Sequence, residues 1–296
     1  MSTVAARNAI EREDRRFGWI LMMPGIALLA AVIGFPVIWA LNTSLFDYTL
    51  IMPGYDNFVG ADNYARAFND GEFIHAAKVT FFFVVAVVLI EFAIGFLVAL
   101  MLNDTQRGKN IYYLILLCPL LMNPVVVGLI WRMFLHPTLG IVNYLLSTVS
   151  LGPVNWLGDA GIAFWTVVMV DIWHQVSFMI VLLLAGLSAL PKEPYEAARV
   201  DGASALQSFW HITLPLMRPV IVVTLLIRVI FAIKTYDIIY IMTRGGPGVA
   251  TDLVSYFIYR RAFVGLDLGE ACAMAGILLV TVIAITAYLH RSMRAL

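Results

Sequence analysis

The sequence predicts an all-α membrane protein, one domain of six transmembrane helices with a two-helix loop projecting from one end. Three observations carry that expectation. Of 296 residues, 61% are hydrophobic and 13% charged, whereas soluble globular chains run at roughly 45–50% and about 25%. Six apolar runs reach the ~20 residues needed to cross a hydrocarbon core about 30 Å thick. Lys and Arg are also distributed unevenly among the segments between those runs. The 19 basic and 19 acidic residues cancel, so neither a nucleic-acid surface nor a disordered acidic tail is expected. Cys118 and Cys272 both sit in apolar runs, which argues against a disulfide framework or a CxxC metal site.

The runs cover 18–45, 76–102, 111–135, 161–187, 216–243 and 271–290, with tails at 1–17 and 291–296. The first is too long and too interrupted by Pro24 and Pro36 for a cleavable signal sequence, so it should remain as a helix. Asn123-Pro124 breaks the third at its centre and frees backbone carbonyls to line a cavity or a partner's groove. With the N-terminus inside, the inner segments hold Arg7, Arg12, Arg15, Arg16, Arg107, Lys109, Lys192, Arg199, Arg291 and Arg294. The outer ones hold only Arg66, Arg244, Arg260 and Arg261. That imbalance predicts both termini in the cytoplasm, with the last outer loop as a local exception.

The inner loop 188–215 differs from the others. Pro194 suits a first helical turn, and Gly202 suits the left-handed residue that ends a helix. Ser204 and Gln207 form a capping box that restarts the chain, and Pro215 is expected to stop it before the membrane. The loop therefore reads as a helix–turn–helix, and on these grounds it is equally compatible with a connector lying on the membrane surface.

Within this loop Glu196-Ala197-Ala198, then Asp201-Gly202, then Ile212-Thr213-Leu214-Pro215 resembles, at every element, the EAA-G-I-LP signature of ABC importer membrane subunits. Leu184–Leu187 before Pro191, Val59–Tyr64, Gly140–Leu145, and Thr243–Pro247 followed by Thr251 and Tyr256–Phe263 are similar to the carbohydrate-uptake branch, specifically its maltose- or glycerol-phosphate-type first permease. The resemblance extends over essentially the whole chain. It implies a type I importer-like fold in a bacterial-type inner membrane, with Glu196, Ala197, Ala198, Asp201, Gly202, Ile212, Leu214 and Pro215 forming the coupling helix that docks on an ATPase. It further implies a homologous second permease, two ATPase subunits that bind ATP and Mg, and an extracytoplasmic solute-binding protein. Relatives usually carry an Asn before the Thr that opens the second span, where Lys78-Val79-Thr80 stands here. Larger maltose-type subunits add N-terminal helices and a periplasmic insertion, so the chain reads as the minimal six-helix form.

Nothing in the sequence supplies catalysis. There is no G-x-x-x-x-G-K-[ST] phosphate loop, no G-x-S-x-G and no H-E-x-x-H, so ATP hydrolysis should belong to partner subunits, and neither a metal site nor a cofactor is expected in this chain. Recognition remains. Polar groups in lipid normally face a cavity or a partner helix. Asp171, His174, Gln175 and Phe178 recur at i, i+3, i+4 and i+7 with Trp173 beside them. Donors and acceptors bordered by rings suit a sugar, although such a stripe can equally hold helices together. The fifth span adds Arg228, then Tyr236 and Asp237, with Lys234 and Asp237 placed to neutralise each other. Arg228 is expected to meet Glu91 or Asp171. If it does, the cavity favours a neutral sugar or polyol; if not, an acidic one. A proton-coupled secondary transporter using Glu91, Asp171 and His174 is the competing expectation, against which stands the lack of matching repeat halves. A channel or structural subunit is disfavoured by the docking loop.

Overall fold

The computed structural model describes residues 17–104 and 108–294. Most of the N-terminal tail, Arg107 and the last two residues lie outside that range. The described chain is helical. Helices α1 (Phe17–Thr43), α2 (Asp62–Asn69), α3 (Gly71–Asp104), α4 (Lys109–Leu120) and α5 (Pro124–Phe134) are followed by α6 (Ile141–Thr148) and α7 (Ala160–Ser188). Then come α8 (Glu193–Val200), α9 (Ala205–Ser208), α10 (Leu214–Ile233), α11 (Asp237–Met242), α12 (Val254–Phe263) and α13 (Leu268–Arg294).

Five described helices are long and apolar enough to cross a membrane, and the bent pair formed by α4 and α5 makes a sixth candidate. The third span, expected over 111–135, is therefore two helices that meet at 99°. Pro119 lies in the last turn of α4, which closes with Leu121 N–H on Leu117 O, and Asn123 starts α5 by accepting Val125 N–H at 2.9 Å on its side chain, with Pro124 in the first turn. The fifth span also departs from one continuous run, because Lys234–Tyr236 interrupts it between α10 and α11.

Two prolines behave differently from their sequence signal. Pro215 does not stop the chain before the membrane; α9 continues through a wide π-turn, Phe209–Thr213, directly into α10. In α1 the same device appears, a π-turn at Ala30–Gly34 followed by Pro36. Each turn ends two residues before its proline, and its closing N–H reaches back five residues, Phe35 to Ala30 O and Leu214 to Phe209 O. Widening the turn accommodates a ring that would otherwise collide with the carbonyl one turn back.

The chain packs as two units. In the first, 17–67 with Arg261–Ile277, α1 enters a loop tied down by Asn63, whose Nδ2 donates to Ser44 O and Phe46 O at 2.8 Å each. Gly269 opens α13 where only hydrogen fits, since a Cβ would lie 2.4 Å from Phe46 O. In the second, Phe68–Arg260 with Leu278 onward, α3, α7 and α10 form the centre. One apolar cluster gathers Phe83, Val87, Val127, Val167, Val170, Ala232 and Ile239. Another, nearer α8, gathers Phe96, Ala99, Met179, Leu183, Leu187 and Met217. With no hydrophobic drive between helices in lipid, close approach through small residues has to hold them. A Cβ at Gly95 would stand 2.9 Å from Met179 Cγ, and one at Gly186 would stand 2.6 Å from Val220 Cγ1.

Gly186→Val is therefore expected to force α7 away from α10 and lower stability by about 1–3 kcal/mol, the usual range for overpacking. The midpoint of thermal aggregation in detergent would fall. An unchanged midpoint would mean that the two helices do not touch at this level.

Candidate functional site: a buried charge triad and a projecting loop

Glu91 on α3, Asp171 on α7 and Arg228 on α10 meet in one network. The Arg228 guanidinium donates from Nε to Glu91 Oε2, from Nη2 to Glu91 Oε1 at 2.8 Å, and from Nη2 to Asp171 Oδ2. All three side chains are sealed, at 1% exposure for Arg228, 0% for Glu91 and 3% for Asp171. Along each helix the charged residue falls between the two apolar clusters, so the triad is a polar layer at the junction of two dry ones. A guanidinium fork can serve two carboxylates at once because its donors are planar and fixed in direction.

Two other polar residues of α7, His174 and Ser177, attach to the broken third span. His174 is buried and its Nε2–H donates to Met122 O at 3.1 Å, the carbonyl left free in the gap between α4 and α5. Its Nδ1 accepts from Gln175 Nε2 at 3.1 Å. Ser177, which the polar stripe read from sequence omitted, donates from its hydroxyl to Leu116 O; its position three residues after His174 was the available signal. Phe178 packs on Phe231 with centroids 5.6 Å apart, and Trp173 stands edge-on to Trp131 at 5.5 Å.

Tyr236 and Asp237 take no part in the hydrogen bonds of the triad. Tyr236 stacks on Tyr240 at 5.5 Å and contacts Tyr256 and Tyr259, a four-ring cluster whose later members were visible only as tyrosines spaced four and three apart. Asp237 heads α11. The expected Lys234–Asp237 pair does not form among the described residues: α10 ends at Ile233 and α11 begins at Asp237, so the helical i, i+3 relation is lost. Asn123 serves as the cap of α5.

The loop 188–215 is a rigid corner. Helix α8 places Pro194, Glu193 and Glu196 in its first turn and Arg199 in its last, the order the helix dipole favours. It closes with Gly202 N–H on Arg199 O and Ala203 N–H on Ala198 O, a Schellman pair in which Gly202 takes φ +75°. Ser204 and Gln207 then form the reciprocal capping box that opens α9. Tyr195 Oη donates to Thr213 Oγ1 at 2.9 Å and ties the two arms. No residue of α8 is buried, and Val200, Leu206 and Trp210 are exposed at 88%, 67% and 57%. A cleft of about 400 Å³ in the corner is lined by Ala198, Asp201, Gly202, Ala203, Gln207, Ser208, His211 and Ile212.

Apolar spans, a buried ionic layer and an exposed helical corner are the features of a membrane-embedded protein. Residues 91–295 match the family of binding-protein-dependent transport system inner membrane components. The chain belongs to this family and is the permease subunit of an ABC importer. It is 35% identical to the trehalose/maltose transport system permease protein MalF of Thermococcus litoralis, over 94% of each chain. It is 34% identical to the sulfoquinovosyl glycerol transport system permease protein SmoG of Agrobacterium fabrum, over 95% of this chain and 91% of that one. A chain of the bacterial alginate ABC transporter, crystallised with an alginate pentasaccharide-bound periplasmic protein, superposes with a TM-score of 0.82 at 26% identity, covering 96% of this chain and 97% of that one.

Removing one member of a buried ion network leaves uncompensated charge and costs about 3–5 kcal/mol, whereas replacing the whole network by apolar groups is often neutral. Arg228→Met alone should therefore abolish the folded, monodisperse protein in detergent. The triple variant Arg228→Met, Glu91→Leu, Asp171→Leu should recover much of it. Equal yields from the two variants would remove the triad from any part in holding the bundle.

His174→Leu frees the Met122 carbonyl and should lower bundle stability by about 0.6–2 kcal/mol, the range for interhelical hydrogen bonds in membranes. Gln175→Leu should cost less. Substrate-stimulated ATPase activity, measured on the same preparations, separates a binding role from this tethering one. A loss of stimulation at unchanged stability would assign His174 to substrate.

Proposed function

We propose that this permease imports a carbohydrate or polyol, delivered by an extracytoplasmic binding protein, and that it works with a homologous permease and two ATPase subunits. In this reading α8 and α9 face the cytoplasm, as do both termini. The supporting observation is the corner 193–208. A helix built with a Schellman end, a capping box and an inter-arm hydrogen bond, yet burying none of its residues, is shaped to be gripped by another protein. Glu196, Ala197 and Asp201 lie on its exposed surface with Ala198 half-buried beside them, while Ile212, Leu214 and Pro215 carry the push into α10.

The mechanism follows from that continuity. Closure of the ATPase dimer displaces the corner; the π-turn Phe209–Thr213 passes the displacement into α10 without an intervening loop. Because α10 is bolted to α3 and α7 through Arg228, the three helices move as one body, and the helix bundles rock between inward-open and outward-open states. ATP drives transport only through its differential contact with those two states.

The substrate class receives support from two sides. MalF and SmoG are named for sugar-containing solutes, as is the alginate importer. Rings at Trp131, Trp173, Phe178, Phe231 and the tyrosine cluster offer faces on which pyranose C–H groups stack. Within that class the pairing of Arg228 with two carboxylates favours a neutral sugar or polyol over an acidic one, since the guanidinium charge is already met by carboxylates of the same chain. A proton relay is disfavoured because the buried His174 is engaged to Met122 O and Gln175, not to either carboxylate.

Glu196→Lys, in the complete transporter reconstituted in vesicles, should abolish ATP-driven uptake while leaving membrane insertion and the melting behaviour of the chain unaltered. Co-purification of the ATPase should drop in parallel. Normal uptake by this variant would overturn the docking assignment, and uptake driven by a proton gradient without ATP would overturn the class.

A further inference from the structure

Between His136 and Asp159 the chain contains no Asp, Glu, Lys, Arg or His, although this segment joins two spans and holds a helix of only eight residues. At about 1.5 Å per residue α6 is ~12 Å long and cannot cross a bilayer. Its sides differ sharply. Ile141, Tyr144 and Leu145, at i, i+3 and i+4, are 51%, 68% and 57% exposed, and the flanking Leu139, Val149 and Leu151 are 86%, 65% and 56% exposed.

The polar groups are turned the other way or satisfied locally. Asn143, 6% exposed, donates from Nδ2 to Pro137 O and Val154 O at 2.9 Å each. Its Oδ1 accepts from Val154 N at 3.2 Å and Trp156 Nε1 at 2.9 Å. At the helix end Ser147 and Thr148 donate to Tyr144 O and Leu145 O, and Ser150, at φ +59°, permits Leu151 N to reach Leu146 O at 3.0 Å. Of the carbonyls that a helix end normally leaves to water, those of Leu145, Leu146 and Ser147 thus have partners within the chain.

We propose that α6 and its flanks lie in the interfacial layer of the membrane, with Leu139, Ile141, Tyr144, Leu145, Val149 and Leu151 embedded among lipid. An exposed apolar face of this size marks an interaction surface, and three features identify lipid as its occupant. The segment lacks any ionic group with which a protein partner would fix register or orientation. Most carbonyls of its last helical turn are capped from within the chain, which lowers the cost of an apolar medium. Exposed apolar residues also stand on both flanking helices, Met133 of α5 before His136 and, after the capping Asp159, Ile162 and Trp165 of α7, at 64%, 37% and 58%. Tyr144 supplies the amphipathic ring common at the headgroup level. The anchor is rigidly joined to the broken span. Gly140 makes the turn after α5, where a Cβ would lie 2.4 Å from Phe134 O and 2.5 Å from His136 O. Lipid contact at α6 therefore sets the height of α5 in the bilayer.

The test places a nitroxide at Leu145→Cys, and separately at Ile141→Cys, in the complete transporter reconstituted in phosphatidylcholine/phosphatidylglycerol vesicles, with Cys118 and Cys272 replaced by Ser. A third label at Asp56→Cys, in an exposed loop, provides the aqueous reference. The ratio of collision rates with oxygen to those with a water-soluble nickel chelate should be several-fold higher at 145 and 141 than at 56. Equal ratios would show that the face is in water. Low collision with both reagents would show that a protein subunit covers it. Either result overturns the proposal, and neither bears on whether the chain docks an ATPase through α8.

Discussion

The structure depends on one ionic layer. Burying a guanidinium and two carboxylates between lipid-embedded helices is tolerable only if the charges are paired, as Arg228 Nε and Nη2 are with Glu91 and Asp171. That requirement fixes the rotation of α3, α7 and α10 about their axes and their relative height, which apolar contacts between smooth helices do not do. Above and below the layer, packing can then be made by whatever sizes fit, and glycines at 95 and 186 bring the same helices close enough for their side chains to interlock.

Helix irregularity is the second organising feature, and it is concentrated at prolines. The π-turns before Pro36 and Pro215 keep the chain helical across prolines that would otherwise end it. In the third span the opposite happens: Pro119 and Asn123-Pro124 turn the chain through 99°, and α7 supplies His174 and Ser177 to the carbonyls of the broken stretch. Within a residue pattern that reads as a substrate-lining stripe, Asp171 and His174 are in this conformation tethers to groups on neighbouring segments, and Gln175 braces His174. The two roles are compatible when the tethers rearrange between transport states.

The corner 193–208 follows different physics. Its geometry is set almost wholly by neighbours in sequence, through Gly202 and the Ser204–Gln207 box, so it holds its shape while burying nothing. Local specification of this kind gives a part that can be presented to another protein without being remodelled by its own core.

The sequence by itself determined the membrane class, the approximate spans, the helix–turn–helix and its caps, and the family signature, because each depends on composition or on residues within a few positions of one another. Glu91 and Asp171 were legible as candidate partners of Arg228 from the scarcity of unpaired charge in lipid. The tertiary structure decided that both pair with it, across separations of 57 and 137 residues. It also decided that His174 and Ser177 serve the third span, that Lys234 and Asp237 do not pair, and that Pro215 is passed, not obeyed. These outcomes turn on how helices are rotated and crossed, and on whether a proline is met by a break or by a widened turn. Periodicity cannot encode those quantities, since it says which residues share a face but not what that face meets.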